Sequence, residues 1–128
     1  MVKIVDHFEE LWPPAFGTPR GSLRDFLGES PHEDEKEILQ YLQNGHDLFN
    51  VMGSSDDALG SGRTILGGDS IYSDGEWVWR GDLWFYVWKH HVILPTEFVD
   101  RVRKLGHSVP DEDIPRLMEI AQEIRARI

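Results

Sequence analysis

The sequence predicts an α+β domain in which an antiparallel sheet of three or more strands packs against several helices. The chain has 128 residues, the usual length for one core, and 40% of them are hydrophobic, including five Trp. Strand-favouring runs separated by Gly and Asp lie mid-chain, and apolar residues at helical spacing lie before and after them. We therefore expect one domain over residues 1–128, with an irregular N-terminal wrap at 1–30 and an α+β core at 31–128.

Closely spaced Pro and Gly residues occupy the first thirty positions, and they interrupt helices and strands. Ser22 and Asp25 have the spacing of a cap and the third position of a short helical turn. We expect this wrap to anchor four aromatic side chains on the core: Phe8, Trp12, Phe16 and Phe26.

The first long helix is predicted over residues 31–44. Ser30 suits the N-cap and Pro31 the first helical position, and the next turn is acidic, as the helix dipole favours. Apolar residues follow at helical spacing, and Gly45 provides a left-handed stop.

Residues 47–80 are predicted to form an antiparallel meander, because strand-favouring residues alternate there with turn residues. The predicted segments are, in order, a strand at 47–53, a loop at 54–62, a second strand at either 64–66 or 70–72, a turn at 73–75 and a strand at 76–80.

Three helices are predicted in the remainder. Residues 82–91 have the composition of a strand, but Asp82 suits an N-cap and the apolar residues keep helical spacing, so we favour a helix. Residues 95–105 and 111–127 show amphipathic spacing.

The charge of the chain is strongly negative, with 13 Lys and Arg against 23 Asp and Glu and a formal net charge of −10. This argues against nucleic-acid binding, which needs clustered cations. Residues 1–60 hold twelve carboxylates and four cations, a balance of −8, and residues 61–128 hold eleven and nine, a balance of −2. Such a field attracts a basic partner, although acidic surfaces also keep proteins soluble.

Several classes of site are disfavoured by what the sequence lacks. Without cysteine, the chain has no disulfide, thiolate zinc site or Cys nucleophile, which fits a cytoplasmic location. Its start does not resemble a secretory leader, and its longest apolar run, Leu83–Trp88, is too short to span a membrane. We expect a cytoplasmic protein that binds neither membranes nor nucleic acid.

No catalytic or metal-binding motif is recognisable. The segment Gly60–Thr64 departs from a phosphate-binding loop, because Asp57 stands where Gly is needed and Arg63 replaces Lys. The adjacent His90 and His91 lack a third ligand; we expect His90 to be partly buried and His91 to face solvent. The sequence thus predicts no catalytic residue, no metal and no cofactor.

The tryptophans allow two interpretations. Trp77 and Trp79 share one face of a predicted strand, and Trp84 and Trp88 share one face of a predicted helix. The simpler interpretation is that the two pairs meet in a strand-on-helix core. The alternative is an exposed aromatic platform for carbohydrate, peptide or protein contacts.

One block of sequence resembles a known class. Asp74-Gly75-Glu76-Trp77-Val78-Trp79-Arg80, then Tyr86-Val87 and Leu94-Pro95-Thr96-Glu97-Phe98, resembles small bacterial immunity proteins encoded beside polymorphic or contact-dependent toxins. The resemblance covers about residues 70–103. It implies a non-catalytic protein that binds a cognate toxin domain and holds it inactive.

The resulting hypothesis is an acidic protein-binding module whose partner is a basic toxin domain. Its expected contacts are five carboxylates and an aromatic anchor, namely Glu33, Asp34, Glu37, Asp56 and Asp57, with Trp12 or Trp79. The alternatives are a small enzyme or ligand-binding domain with a Trp-lined and His-lined cleft near His46, His90 or His91, and a self-associating structural protein. The sequence leaves the oligomeric state open.

Overall fold

Six strands and four α-helices lie within residues 2–50 and 52–127, the part of the chain that the computed structural model describes. This confirms the predicted α+β class. The strands are β1 (Lys3–Ile4), β2 (His46–Phe49), β3 (Ser54–Asp56), β4 (Thr64–Leu66), β5 (Ile71–Ser73) and β6 (Trp77–Arg80). The helices are α1 (Glu35–Gln43), α2 (Leu83–His90), α3 (Thr96–Lys104) and α4 (Ile114–Arg125), with 3-10 helices at Pro14–Phe16 and Leu23–Phe26.

The main sheet has the order β1-β6-β5-β2. Strands β2, β5 and β6 form the predicted antiparallel meander. Strand β1 pairs with β6 in parallel, so the sheet is mixed and the N-terminal wrap contains a strand that was not predicted. The buried side chains of Ile4 and Val5, and a bond from the Val5 N–H to the Val78 carbonyl at 2.9 Å, hold this segment on the sheet.

A second, two-stranded sheet corrects the prediction of a loop at 54–62. Strands β3 and β4 pair in antiparallel, with Ser54 opposite Leu66 and Asp56 opposite Thr64. The second strand was predicted at either 64–66 or 70–72, and the structure has a strand at each position. β4 lies in this hairpin, and β5 lies in the main sheet. The strand predicted at 47–53 is seen as β2, and Val51 lies outside the described residues.

The helices confirm the predicted number, and two of their starts need correction. Helix α2 forms where helix and strand were both considered. Helix α1 starts at Glu35, four residues after Pro31, and the N-cap residue Asp34 makes no capping bond because its carboxylate binds Arg103. Helix α4 starts at Ile114, where the Asp113 side chain accepts a bond from the Arg116 N–H at 3.2 Å. In the described part of the chain, no helix combines the length and apolarity that a membrane span requires.

The core lies between the main sheet and the helices. Trp77 and Trp79 pack edge-on against Phe98 of α3, with ring centroids 5.6 and 5.7 Å apart. The predicted meeting of two Trp pairs is wrong, because Trp77 and Trp79 pack on Phe98, whereas Trp84 and Trp88 pack on Phe85 and on each other. The predicted anchors of the wrap are confirmed, since Phe8, Trp12 and Phe16 are buried and Phe26 is partly buried.

Candidate binding groove

A surface groove of about 730 Å³ lies between α1, α2 and the β3–β4 hairpin. Leu39 contributes from α1, Trp84, Phe85 and Trp88 contribute from α2, and residues 62–66 form one wall. Its volume falls within the range of sites that hold a ligand or an anchoring segment. The groove is therefore the first candidate for a functional surface.

The groove exposes large apolar side chains. Leu66 is 88% exposed and Trp88 is 45% exposed. The rings of Trp84 and Trp88 lie 6.4 Å apart, and Phe85 lies about equally close to both. Exposed apolar patches on soluble proteins mark binding surfaces more often than isolated apolar residues do.

The spacing in α2 explains why Trp84 and Trp88 are less buried than the inner face of the helix. Leu83, Tyr86 and Val87 form the inner face of the helix and are buried. Trp84 and Trp88 are four residues apart, so they lie one turn apart on another face. Trp88 is exposed and Trp84 is partly buried, so the second interpretation of the Trp pairs matches Trp88 best.

Arg63 lies at one end of the groove. Its guanidinium carbon is 5.9 Å from the centroid of the Trp88 ring, a cation–π geometry. Among the residues with described positions, no carboxylate lies within ion-pair distance of Arg63. Arg63 is also the one charged residue that lines the described groove.

The predicted aromatic anchors need correction, because both Trp12 and Trp79 are buried. The Trp12 Nε1 donates to Asp6 Oδ1 at 3.0 Å, and the Trp79 Nε1 donates to the Leu42 carbonyl at 3.0 Å. Their polar atoms have internal partners, so neither ring is presented to a partner protein.

Asp57 is also buried and is not available at the surface. Its Oδ1 accepts a bond from the Leu59 N–H at 2.9 Å, and its Oδ2 lies 3.5 Å from His90 Nε2. Burial acts to raise the pKa of Asp57, but hydrogen bonds from Ser61 and Leu59 and the His90 ring outweigh it and lower the pKa. The role of Asp57 is internal.

The other four predicted carboxylates are not equivalent. Asp34 accepts two bonds from Arg103 at 2.9 and 3.0 Å and lies 2.8 Å from His107 Nε2. The Arg103 bonds hold the pKa of Asp34 well below its usual range. The three exposed members of the set are Glu33, Glu37 and Asp56.

Several carboxylates of residues 1–60 bind groups in residues 61–128. Asp34 binds Arg103 of the second half, and Glu35 Oε1 lies 2.9 Å from His91 Nδ1. The Asp6 carboxyl accepts the Arg80 backbone N–H at 3.1 Å. The charge difference along the sequence therefore overstates the difference between the two surfaces.

The three histidines proposed for a catalytic cleft lie against different partners. His46 Nε2 is 2.7 Å from the Pro110 carbonyl, His90 lies beside Asp57, and His91 lies beside Glu35. None of these histidines lines the groove that holds Trp84 and Trp88. His90 is partly buried as expected, and so is His91, which corrects the expectation that it faces solvent.

Sequence reasoning missed the groove residues outside α2. The alternation in β4, with Ile65 buried between exposed Thr64 and Leu66, is the signal that could have identified Leu66 as a surface residue. No comparable local signal marks Leu39, because its neighbours across the groove come from distant parts of the chain.

No group of three or more potential ligand side chains in residues 2–50 and 52–127 is arranged to hold a metal ion. Comparisons of the chain with protein-family models, with curated proteins and with solved structures find no match.

Proposed function

We propose that this chain is a non-catalytic, acidic protein-binding module that acts as a cytoplasmic immunity protein, binding and neutralising a cognate toxin domain. The observation that carries the proposal is the groove with exposed Trp88 and Leu66 and partly buried Trp84 on a chain of net charge −10. Buried aromatic anchors contribute much of the affinity of protein interfaces, and opposite net charges speed their formation.

The two features have separate roles in this proposal. Exposed carboxylates such as Glu33, Glu37 and Asp56 attract Arg and Lys at the toxin's substrate site, where they stand in for the phosphates of a nucleic-acid substrate. Trp88 takes the anchoring role that the sequence suggested for Trp12 or Trp79. Neutralisation is then steric and electrostatic and needs no chemical step.

The proposal expects a toxin gene beside the gene for this chain, and the direct test uses the toxin domain that such a gene encodes. Co-expression is expected to restore growth, and the purified proteins are expected to form a 1:1 complex. Trp88→Ala should weaken binding about 30-fold or more, the effect of losing an interface anchor. Met118→Ala provides the matched control, because Met118 is 56% exposed on α4, away from the groove. A toxin that remains fully active in the presence of this chain would refute the proposal.

The charge component is tested by the rate of association. Glu37→Lys with Asp56→Lys should slow association, and added salt should slow the unmodified pair. Asp111→Lys with Glu112→Lys makes the same change in net charge at exposed residues of the second half. Equal slowing by both double variants would mean that net charge alone matters and that the first-half carboxylates do not face the toxin.

A further inference from the structure

Strand β4 has a strand neighbour on one side only in the described part of the chain, where it pairs with β3 alone. At one end of the hairpin the Asp57 N–H donates to the Arg63 carbonyl at 3.0 Å. At the other end the Gly67 N–H donates to the Gly53 carbonyl at 2.6 Å. These two bonds fix which residue pairs of the hairpin exchange hydrogen bonds.

Hydrogen-bonded and non-hydrogen-bonded pairs alternate along an antiparallel ladder. Ser55 and Ile65 lie midway between the two bonded ends, so they form the bonded pair. Thr64 and Leu66 are therefore in non-bonded positions. Their N–H and C=O groups point away from β3, towards the free edge of the hairpin.

This free edge borders the groove, because Thr64, Ile65 and Leu66 line it together with Trp84 and Trp88 of α2. Natural proteins protect exposed edges with Lys, Pro or bulges, because a free edge pairs with any extended chain. β4 is a short Thr-Ile-Leu strand that contains no Lys, Pro or bulge. Its edge and the apolar floor beside it together have the form of a site for an added strand.

The charges favour a particular occupant. Arg63 has no acidic partner among the described side chains and stacks on Trp88, so a carboxylate on the occupant would complete the pair. A second copy of this chain would bring another net charge of −10, and the two copies would repel each other. A segment of a different protein fits better.

We infer that the groove takes an extended strand of the partner protein, which hydrogen-bonds to the main chain of Thr64 and Leu66 along β4. Its apolar side chain packs on Trp84 and Trp88, and its carboxylate binds Arg63. This inference rests on the proposed function and specifies how the partner is held.

The test uses a display library of random heptapeptides selected on this protein. The enriched peptides are expected to alternate apolar with polar residues and to contain Asp or Glu. Binding should slow amide exchange of Thr64 and Leu66 about tenfold or more and leave Ile65, already bonded to β3, unchanged. Two N-methylated versions of each peptide are compared, one methylated at the odd-numbered amides and one at the even-numbered amides. Only one version should lose binding, because only one set of amides faces β4.

Variants identify the site on the protein. Arg63→Glu should weaken the selected peptides about tenfold, and Trp88→Ala should weaken them further. Met118→Ala should bind them normally. Failure to enrich peptides, enrichment of peptides that leave Thr64 and Leu66 unprotected, or protection of those amides by self-association of the free chain would each overturn the inference.

The result separates this inference from the proposed function. A toxin complex in which the amides of β4 remain unprotected would leave the immunity role standing and exclude strand addition. Peptides that bind along β4, combined with a neighbouring toxin that does not bind, would leave strand addition standing and exclude the immunity role.

Discussion

Asp6 makes the stability of this protein depend on pH in a direction opposite to that of most carboxylates. The side chain is buried, with Oδ1 accepting a bond from Trp12 Nε1 at 3.0 Å and Oδ2 a bond from the Arg80 N–H at 3.1 Å. Burial, and then the nearby Asp82 carboxylate, raise the pKa of Asp6 from 3.8 to about 7. The two hydrogen bonds and the charge of Arg80 only partly offset this rise.

The sign follows from proton linkage. The unfolded chain loses the Asp6 proton near pH 3.8, whereas the folded protein keeps it until about pH 7. The folded state therefore binds more protons in this interval, and the free energy of unfolding falls as pH rises through it. A full pH unit of this difference costs about 1.4 kcal/mol, and the slope weakens as the folded protein starts to lose the proton near pH 7, so the loss between pH 5 and pH 7 is on the order of 2 kcal/mol.

Other groups with shifted pKa values also affect the free energy of unfolding, and the direction of each effect follows from the direction of the shift. The pKa values of Asp34, Glu10 and Asp57 are lowered, so their contributions are complete by about pH 5. Burial raises the pKa of Asp82, which acts in the same direction as Asp6. Burial lowers the pKa of His7, which acts in the opposite direction.

The assay is urea unfolding at pH 5, 6, 7 and 8 for the unmodified protein, for Asp6→Asn and for Asp25→Asn. The unmodified protein should lose stability up to pH 7 and then level off, and Asp6→Asn should lose much less. Asp25 is exposed, so Asp25→Asn should follow the unmodified protein. His7 is common to all three and cancels in their differences. If Asp6→Asn kept the full slope, the assignment to Asp6 would be wrong.

Three further predictions use the same unfolding assay. Tyr41→Phe should cost about 1–3 kcal/mol, because the Tyr41 hydroxyl donates to buried Asp74 Oδ2 at 2.6 Å; no loss would contradict this. Gly45→Ala should destabilise by about 1–3 kcal/mol, because its Cβ would lie 2.5 Å from the Trp79 ring; unchanged stability would refute the contact. Leu66→Asp should leave the unfolding midpoint unchanged while weakening groove binding, because Leu66 is 88% exposed; a large fall in stability would show a packing role.

Elements with local signals were predictable from the sequence. Leu83, Tyr86 and Val87 repeat at helical spacing, and this spacing prevailed in α2 over the strand propensity of its aromatic residues. Helix α4 was also predicted from its amphipathic spacing, although its cap, Asp113, places the start three residues after the predicted one. In both cases the determining interactions lie within one or two turns of the chain.

Features that depend on distant partners were not predictable. The N-cap residue of α1, Asp34, binds Arg103, which lies 69 positions further along the chain. The sequence near Ser30 therefore could not locate the start of α1. Trp79 is buried because Leu42 and Phe98 pack against it. Trp88 is exposed because none of the described elements covers it on α2. A Trp in the sequence signals a large apolar side chain, and tertiary packing decides whether it faces the core.

The charge of the first half therefore needs to be separated into internal and external parts. Asp34 and Glu35 have partners in the second half, and Asp6 is buried with a raised pKa, so the external field arises from exposed carboxylates such as Glu37. Among the described residues that line the groove, Arg63 is the one that carries a charge. Long-range attraction and short-range contact thus belong to different residues. Reversal of Glu37 should act mainly on the rate of association, and truncation of Trp88 mainly on the rate of dissociation, because steering charges govern encounter and desolvated anchors govern residence time.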